Sequence, residues 1–403
     1  MEHDRPRVSV IVPTFNRSRF IVDCLESLLA QTLPPAELIV VDDQSSDATR
    51  AVLATYGDRI VHLETPSQLG KPGAVNLGLE HATGEYIWVF DDDDVALPDA
   101  LARFTDALER HPECGFSWSP WFVADTMPDG SLGPATFETR EPDIATIGFL
   151  PALLERNFLG GAALFARKRC YDECGGYDTA LVRSQDYDVA IRFARRYAAA
   201  RVEGGATFVY RQHEGARGSS SDRFAAWARF GKWLQYDQRI LRRLRREMSL
   251  GEYLPPGHDV ARSQRLALVQ RFTLMTERLL VDEALEDLAL LARLPDQKPL
   301  TELERRPVRR IAYSDPWYGC GAAWDHARFM QRLRELVEQS ETVRAIRDEV
   351  LNGLLRGVRS HGLSRVRVAA PRAMRLFVKT STASRGRRPA GAPATPMPGP
   401  QLQ

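Results

Sequence analysis

Four consecutive aspartates, residues 91–94, are the part of this sequence whose residue types best suit chemistry. They follow the apolar and aromatic run 86–90, which predicts a buried strand of a parallel sheet. Like charges crowded at a strand end repel one another, and a divalent cation among them removes that repulsion. Carboxylate oxygens suit Mg²⁺ or Mn²⁺, which also bind substrate phosphates. The alternative is a solvated acidic turn that begins a helix at Pro98, because short motifs also occur by chance.

The elements that must position these carboxylates can be predicted from the hydrophobic pattern. Strand and helix patterns alternate over the first hundred residues, which predicts a doubly wound, mainly parallel α/β sheet. Strands are predicted at residues 8–12, 38–41, 59–63, 86–90, 115–123, 162–166 and 206–210. Helices are predicted at residues 20–29, 48–56, 74–81, 98–110 and 187–197. A loop is predicted at 70–73, a hairpin turn at 129–130 and irregular chain over 134–157.

The pattern changes near residue 222, where the strand signals end. Three long helices are predicted at residues 224–248, 263–294 and 323–358, with proline-marked separators at 253–258 and 295–318. We therefore predict an α/β domain over 1–222 and a mostly helical C-terminal region over 223–380. The tail over 381–403 has little to bury, and we expect it to be disordered.

Composition limits the class of protein. The chain has 403 residues, a formal net charge of +1 and 44% hydrophobic residues, which suits a globular protein with a large core and argues against extensive nucleic-acid binding. Five cysteines without framework spacing favour a reducing cytosol, with Cys170 and Cys174 as buried thiols. The N-terminus has no apolar signal-peptide core, and no apolar run is long enough to span a bilayer. We expect a cytoplasmic protein that is soluble or lies at the membrane surface.

Several motifs, taken in order, resemble those of the family 2 glycosyltransferases of the GT-A fold. They are VPTFNR at 12–17, VVDDQSSD at 40–47, GKPGAVNLG at 70–78 with GEYI at 84–87, DDD at 91–93, GGYD at 175–178 with QDYD at 185–188, and YRQH at 210–213. The resemblance covers about residues 7–222 and implies a GT-A catalytic domain with a Rossmann-like sheet. In one departure, Gln185 stands where the family commonly has Glu. Asp186 follows it as in the family, so we expect the chemistry to survive.

The resemblance implies transfer of a sugar from a nucleoside-diphosphate sugar to a saccharide, lipid-linked or small-molecule acceptor. A single carboxylate near the acceptor hydroxyl, Asp186, is the expected general base of an inverting transfer. The other implied site residues are, for the nucleotide and donor, Pro13, Thr14, Asn16, Arg17, Asp42, Asp43, Lys71, Asp91 and Asp92; for the Mn²⁺ or Mg²⁺ ion, Asp93, Asp91 and His213; and for the acceptor, Gly160, Gly161, Gln185 and Trp118.

The acidic residues also have ordinary structural interpretations. Asp42 and Asp43 could stabilise a helix N-terminus, although Asp47 is better placed as a cap. Asp94 could cap the helix predicted from residue 98, and Asp186 the helix predicted from residue 187.

The remaining implied residues likewise have alternatives. Lys71 is either a phosphate contact or a loop lysine, and Trp118 either stacks on a sugar ring or packs in the core. His213 is a third metal ligand, a phosphate contact or, as for most single histidines, neither, and its segment suits a closing lid.

The C-terminal region carries a strong charge bias. No Asp or Glu occurs after residue 350, whereas ten Arg and Lys residues lie between residues 356 and 388. These basic residues predict one of two roles. They contact the anionic inner surface of a membrane, or they form a solvent-exposed basic surface of the protein. For the helices predicted at 224–248 and 263–294, three roles stay open: core packing, an acceptor site or a homo-oligomer interface.

Two other functions are compatible with an acidic site on an α/β sheet. A nucleotidyltransferase needs a glycine-rich phosphate loop after the first strand, and the segment 13–17 contains no glycine. A catalytically inactive scaffold that binds sugar nucleotides would be favoured by loss of Asp93 or Asp186, and both are present.

Overall fold

A computed structural model describes residues 7–139, 141–213, 229–295, 297–313, 323 and 326–360 of the chain. The chain divides into two units, Met1–Ala267 and Leu268–Gln403. The boundary predicted near residue 222, the predicted tail over 381–403 and the basic stretch beyond residue 360 lie outside the described residues.

The first unit contains two sheets built from short strands. The strands are β1 (Val8–Thr14), β2 (Glu37–Asp42), β3 (Val61–Glu64), β4 (Tyr86–Val89), β5 (Val95–Ala96), β6 (Cys114–Trp118), β7 (Phe122–Thr126), β8 (Leu132–Glu138), β9 (Leu164–Arg167), β10 (Ala198–Arg201) and β11 (Phe208–Gln212).

The helices belong to both units. They are α1 (Ile21–Leu29), α2 (Thr49–Ala54), α3 (Gly70–His81), α4 (Ala100–Arg110), α5 (Ile144–Ile147), α6 (Phe149–Glu155), α7 (Lys168–Cys174), α8 (Gln185–Ala194), α9 (Arg229–Glu247), α10 (Val260–Glu277), α11 (Val281–Arg293), α12 (Glu302–Tyr313), α13 (Ala327–Gln339) and α14 (Glu341–Ser360).

The larger sheet has the strand order β10-β6-β9-β4-β1-β2-β3. β1 pairs in parallel with both β2 and β4, and β3 continues the parallel ladder beyond β2. β9 is antiparallel to β4 and β6. The strand order reverses between β1 and β4, and such a switch point opens a crevice at the carboxyl ends of the strands. The predicted mainly parallel α/β sheet is confirmed.

The smaller sheet has the order β5-β11-β7-β8. β7 and β8 form the hairpin predicted around residues 129–130, and Gly130 supplies the positive φ of 94° that its turn requires. β11 pairs with β5, which directly follows residues 91–94. Pairing in the smaller sheet therefore places β11 beside the four aspartates, residues 91–94, which we call the acidic loop.

The core explains why the strands form where they do. All seven residues of β1 are buried, as its β-branched run predicts for a central parallel strand. Trp88 on β4 packs against the rings of Phe90 and Phe104, 4.6 and 5.4 Å away between ring centroids, and its Nε1 donates to the carbonyl of Ala162 at 2.8 Å. Each such ring contributes about 1.5–3 kcal/mol by its burial. This packing fixes β4 and thereby the start of the acidic loop.

The segment 70–73, predicted as a loop, is the first turn of α3. The cause lies outside the segment, because the Asp43 carboxylate accepts the N–H groups of Leu69 and Gly70 at 2.7 and 2.8 Å. Those are donors that a helix start leaves unsatisfied. Pro72 is tolerated because first-turn N–H groups need no helical partner.

Other predicted elements are interrupted in the structure. The strand predicted over 115–123 is two strands in different sheets, because the chain leaves the larger sheet between β6 and β7, at Pro120, which has no N–H for the ladder. The irregular chain predicted over 134–157 contains the end of β8 and the short helices α5 and α6, which meet at Gly148 with φ 84°. α8 begins two residues before the predicted helix at 187.

The helical region also has more breaks than predicted. The helix predicted over 263–294 is interrupted at Leu279, which has a left-handed φ of 55°. The helix predicted over 323–358 divides at Ser340, whose hydroxyl accepts the N–H of Val343 and so caps α14. α12 lies inside the predicted separator 295–318.

In the second unit, α11 to α14 pack mainly through apolar faces with a few buried ion pairs. Arg271 and Asp287 form one such pair, with N–O distances down to 2.6 Å, and Arg309 joins α12 to Glu349 of α14. Among the described residues, none of the helices combines the length and hydrophobicity needed to cross a bilayer. The described cysteines Cys24, Cys114, Cys170 and Cys174 are free thiols, and Cys174 is half-buried rather than buried as predicted.

Candidate active site

A cavity of about 320 Å³ lies at the carboxyl ends of the central strands. Its position is the switch point between β1 and β4, where this topology favours ligand binding. Its lining residues are Pro13, Thr14, Phe15, Arg17, Asp43, Gln68, Leu69, Gly70, Lys71, Pro72, Ala74, Asp91, Asp92, Asp93, Thr179, Val182, Arg183, Gln185 and Tyr210. One wall comes from the strand ends, and the other comes from the chain just before and at the start of α8.

The acidic loop contributes three carboxylates to the cavity. Asp92 is buried, and burial raises its pKa to about 7, although the guanidinium of Arg17, 3.4 Å away, acts in the opposite direction. Asp93 lies 3.6 Å from the same guanidinium and 2.9 Å from Nε2 of His213. Burial of Asp92 and Asp94 excludes the alternative of a solvated acidic turn.

Asp94 does not cap the helix that follows it, so the capping alternative does not hold for this residue. Asp99 occupies the position before α4, and the Asp94 carboxylate instead accepts the backbone N–H of Arg211 on β11 at 3.0 Å. The reason is the smaller sheet, which brings β11 against the acidic loop.

Lys71 lies opposite the acidic loop, in the first turn of α3. Its ammonium group pairs with Asp91. Burial acts to lower the pKa of Lys71, but the carboxylates of Asp91 and Asp186 outweigh it and raise this pKa to about 12. Lys71 therefore stays positively charged at neutral pH and lines the cavity beside Asp91.

Asp186 is the second residue of α8, so it is not the N-cap that the alternative interpretation proposed. Ser184 occupies that position, with a left-handed φ of 58°. Burial raises the pKa of Asp186, and the charge of Lys71 acts to lower it. Asp186 is half-buried and does not itself line the cavity, whereas its neighbour Gln185 does.

The predicted donor residues fall into two groups. Pro13, Thr14, Arg17 and Asp43 border the cavity with Lys71 and the acidic loop.

Asn16 and Asp42 instead hold loops in place and do not line the cavity. Asn16 has φ 54°, and its side-chain oxygen accepts the N–H groups of Ser46 and Asp47. Asp42 accepts the N–H of Ser45 and pairs with Arg50 at 3.2 Å.

The predicted acceptor residues are also divided. A Cβ added at Gly161 would lie 3.4 Å from both Asp91 Oδ2 and Lys71 Nζ, so this glycine lies beside the charged pair. Gly160 lies against the ring of Trp121. Trp118 is not brought to the cavity.

Trp118 is buried, and its ring packs 5.2 Å from that of Phe158 and 5.9 Å from that of Phe149, which is the core-packing alternative.

Gln185 has a feature that the sequence does not show. It is 5% exposed, and its Oε1 has no hydrogen-bond partner among the described residues. A buried acceptor without a partner in a cavity wall suits an N–H or O–H donor on a ligand.

Sequence reasoning missed several residues of the site. Thr179, Val182 and Arg183 line the second wall, and no local pattern marks them. Tyr210 of β11 also lines the cavity, although the motif that contains it implied no role for this residue. Arg211 is fully buried and bonded to the acidic loop, and its place in the motif at 210–213 was the available signal.

A second cluster of possible metal ligands lies away from the acidic loop. This cluster consists of Asp42, His62 and Glu64, each of which offers one ligand atom, and the three atoms lie within 4.8 Å of one another. Arg50 already bridges Asp42 and Glu64, at 3.2 and 3.1 Å. A guanidinium therefore supplies the positive charge there.

The acidic loop also offers donors for a divalent cation, and there too positive side chains, Lys71 and Arg17, contact the carboxylates. Asp91 and Asp93 offer hard carboxylate oxygens and His213 an imidazole nitrogen, which together suit Mn²⁺ or Mg²⁺. Asp93 and His213 already face one another, so this pair fits the expected ion. In the described chain, ligand atoms of Asp91, Asp93 and His213 do not all lie within 4.8 Å of one another.

Comparison with known proteins agrees with the geometry. Residues 9–126 match the family model described as glycosyl transferase family 2. An uncharacterized glycosyltransferase of Rickettsia typhi is 28% identical over 202 residues, which are 47% of this chain and 59% of that protein. The succinoglycan biosynthesis protein ExoO of Rhizobium meliloti is 30% identical over 223 residues, which are 52% of this chain and 62% of that protein. The chain thus spans about 60% of the length of these curated relatives.

Solved structures give the same fold. The crystal structure of S. aureus TarS 1–349 in complex with UDP-GlcNAc aligns with 94% of this chain and 92% of its own, with a TM-score of 0.51 and 15% sequence identity. At that identity the likeness concerns the fold. With the strand order, it shows that the chain has the GT-A fold, and within that fold residues 9–126 match the family 2 glycosyltransferase model.

Proposed function

We propose that this protein transfers a sugar from a nucleoside-diphosphate sugar to a hydroxyl group of an acceptor, with inversion at the anomeric carbon. The observation that carries the proposal is the convergence of Asp91, Asp93 and Lys71 with the start of α8 at one cavity. Opposed walls of this kind can hold a donor between a charged cluster and a general base.

The charges around the cavity suit a donor diphosphate. Lys71 remains protonated, and Arg17 lies within 4 Å of Asp92 and Asp93. Positive groups and a divalent cation stabilise the charge that develops on a departing diphosphate. The UDP-GlcNAc in the TarS complex and the succinoglycan biosynthesis for which ExoO is named support a sugar-nucleotide donor and a saccharide, lipid-linked or small-molecule acceptor.

Asp91, Asp93 and His213 are the residues that would hold Mn²⁺ or Mg²⁺. When bound, the ion would act as a Lewis acid that neutralises charge on the leaving nucleoside diphosphate. Arg17 would keep Asp92 and Asp93 oriented toward the cavity, because its guanidinium contacts both carboxylates. Asp43 would act indirectly, since it fixes the first turn of α3 and so the position of Lys71.

The proposed step is a single displacement. The acceptor oxygen bonds to the anomeric carbon while its proton passes to the carboxylate of Asp186. The bond between that carbon and the diphosphate oxygen breaks, and its electron pair leaves with the nucleoside diphosphate. General-base assistance of this kind contributes about 10²–10⁴-fold to the rate. The raised pKa of Asp186 makes it a better proton acceptor than an exposed aspartate.

The acceptor is proposed to enter beside Gly161 and Gln185. Gly161 has no side chain next to the Asp91–Lys71 pair, and the free Oε1 of Gln185 offers a hydrogen-bond acceptor for a sugar hydroxyl. We further propose a place at the inner face of the cytoplasmic membrane, with an anionic lipid surface contacted by the basic stretch 356–388.

The test is a panel of nucleoside-diphosphate sugars, each incubated with the full chain and simple saccharide acceptors, with and without Mn²⁺. Thermal stabilisation reports binding, because a ligand that binds only the folded state raises its melting temperature. NMR of the product reports the anomeric configuration, which we expect to be inverted.

Each alternative outcome identifies a different function. Stabilisation by nucleotides without any turnover would favour a sugar-nucleotide-binding scaffold. Release of pyrophosphate from a nucleoside triphosphate and a sugar phosphate would favour a nucleotidyltransferase. A product with retained configuration would exclude the single displacement.

A further inference from the structure

Arg211 is a fully buried arginine on β11, with 0% of its side chain exposed. A guanidinium stays charged in proteins, and removing it from water is expensive unless every donor finds a partner. A fold retains such a group where its hydrogen bonds hold together chain segments that apolar packing alone cannot hold. Its partners therefore show what it fixes.

The partners of Arg211 come from three separate parts of the first unit. Its Nε donates to the main-chain carbonyl of Asp93 at 2.9 Å, and its own N–H donates to the Asp94 carboxylate at 3.0 Å. One terminal nitrogen donates to the carbonyl of Gly130 in the β7–β8 turn at 3.2 Å. The other pairs with Asp23 of α1 at 2.5 Å. The acidic loop is thus tied to both a helix and the hairpin.

His213 lies two residues further along the same chain, so it faces the same side as Arg211. Its Nε2 contacts Oδ2 of Asp93 at 2.9 Å. Asp93 is therefore held at two points, by Arg211 through its main chain and by His213 through its side chain. The ring of Phe20 lies 5.1 Å from the guanidinium carbon and 5.1 Å from the imidazole centroid, which restrains both groups.

We propose that Arg211 is a positioning residue for the cation site. It fixes the main chain of the acidic loop so that the carboxylate of Asp93 and the imidazole of His213 converge before an ion arrives. The inference rests on the proposed function only in that it takes Asp93 and His213 as the ligands. Arg211 itself touches neither ion nor substrate.

The test measures Mn²⁺ binding to the free full-length protein, by electron paramagnetic resonance, without any sugar nucleotide. In R211K one cation remains, but its single ammonium cannot reach Asp93, Gly130 and Asp23 together. We expect Mn²⁺ to bind about 10–100-fold more weakly, as for other residues that orient metal ligands. We also expect kcat of R211K to recover when Mn²⁺ is raised to saturation.

Arg103 provides a matched control. It is also largely buried and also donates to main-chain carbonyls, those of Glu203, Gly205 and Ala206, but it does not contact the acidic loop. We expect R103K to lower the melting temperature and to leave Mn²⁺ affinity unchanged. If R103K weakens Mn²⁺ binding as much as R211K does, the effect is general destabilisation and the proposal fails.

Two further results separate this inference from the proposed function. A wild-type chain that binds no Mn²⁺ overturns the cation site and the inference with it. A wild-type chain that binds Mn²⁺, with a folded R211K that binds it equally well, overturns the inference alone. If R211K does not fold, D23N takes its place, because it leaves Arg211 present and removes its charge partner. Unchanged Mn²⁺ affinity in folded D23N would then contradict the proposal.

Discussion

The two walls of the cavity are built in different ways. The strand wall consists of the ends of β1, β2 and β4 with the acidic loop, and its position follows from the ladder of the central sheet. The base wall consists of residues 175–188, and it has no strand to hold it. Both walls rely on buried ion pairs to orient a carboxylate, but only the strand wall has a rigid scaffold directly beneath it.

The base wall is held by one buried carboxylate. Asp188 is fully buried and pairs with Arg192 at 2.9 Å and with Arg243 of α9. Arg192 also donates to the carbonyls of Cys174, Gly175 and Gly176, so it fixes the turn that begins this wall. A single cluster therefore joins both ends of the base wall.

A second bond from α9 reaches the residue before α8. The hydroxyl of Ser184, which has a left-handed backbone, donates to Asp237 at 2.7 Å. The position of Asp186 thus depends on a helix that begins more than 40 residues later in the chain. This difference predicts that the two walls can be disabled separately.

The largest expected effect comes from removing one carboxylate from each wall. Asp186→Asn keeps the shape of the side chain but removes the proposed proton acceptor, so we expect kcat to fall about 10²–10⁴-fold with unchanged Mn²⁺ affinity. Asp93→Asn removes a proposed charged ligand, so we expect the loss of Mn²⁺ binding itself. Steady-state kinetics at saturating donor and Mn²⁺ titration of the free protein measure the two effects.

Measuring both kcat and Mn²⁺ affinity in each variant tests whether the two walls act separately. If D186N binds Mn²⁺ more weakly, the walls are coupled and the comparison fails. If D93N retains Mn²⁺ affinity, the cation site lies elsewhere, with Asp42, His62 and Glu64 as the cluster to examine next.

A smaller effect is expected from loosening the base wall at α9. In Arg243→Met, Asp188 keeps Arg192 but loses its second partner. Because the Arg243 side chain is 31% exposed, we expect the variant to lower the free energy of unfolding by about 1–2 kcal/mol rather than by the larger amount for a fully buried pair. We also expect a lower kcat with unchanged Mn²⁺ affinity. Urea unfolding and Mn²⁺ titration test this.

Arg246→Met provides the control on the same helix. Arg246 is exposed, and we expect its loss to change stability by no more than about 0.5 kcal/mol. Equal losses of stability in the two variants would mean that Arg243 acts through the helix in general and not through Asp188.

The strand wall could be predicted from the sequence because its information is local. β-branched runs mark β1 and β2, and the carboxylates follow their strands directly, so the switch-point rule brings Asp43 and the acidic loop together. Asp93 and His213 are 120 residues apart, and only the motif resemblance paired them. The partners that Asp94 and Asp43 take were not predictable, because they depend on tertiary contacts.

The base wall and the helical region show what local patterns leave out. Asp188 and Arg243 are 55 residues apart, and no local sequence pattern near either residue indicates that they pair. Leu279 breaks a helix in a left-handed conformation that an apolar pattern does not reveal. α12 could have been predicted, because Thr301 and Glu304 form a capping box before it.

The smallest and most specific effect concerns Lys71, which acts on both walls. Its ammonium pairs with Asp91 of the strand wall, and its charge lowers the pKa of Asp186, which burial raises. In Lys71→Met that lowering is lost, so the pKa of Asp186 rises further. At a given acidic pH a smaller fraction of Asp186 is then in its basic form. We expect the acid limb of the kcat–pH profile to move to higher pH.

Lys71→Arg is the matched control, because it keeps the positive charge at the same place. We expect its acid limb to stay close to that of the wild type, even where the bulkier group lowers the overall rate. The pKa of Lys71 itself is raised to about 12, so the charge of Lys71 does not change over the pH range of the measurement. An unshifted acid limb in Lys71→Met would mean that the charge of the strand wall does not reach the proton acceptor of the base wall. The two walls would then act on the donor and the acceptor independently.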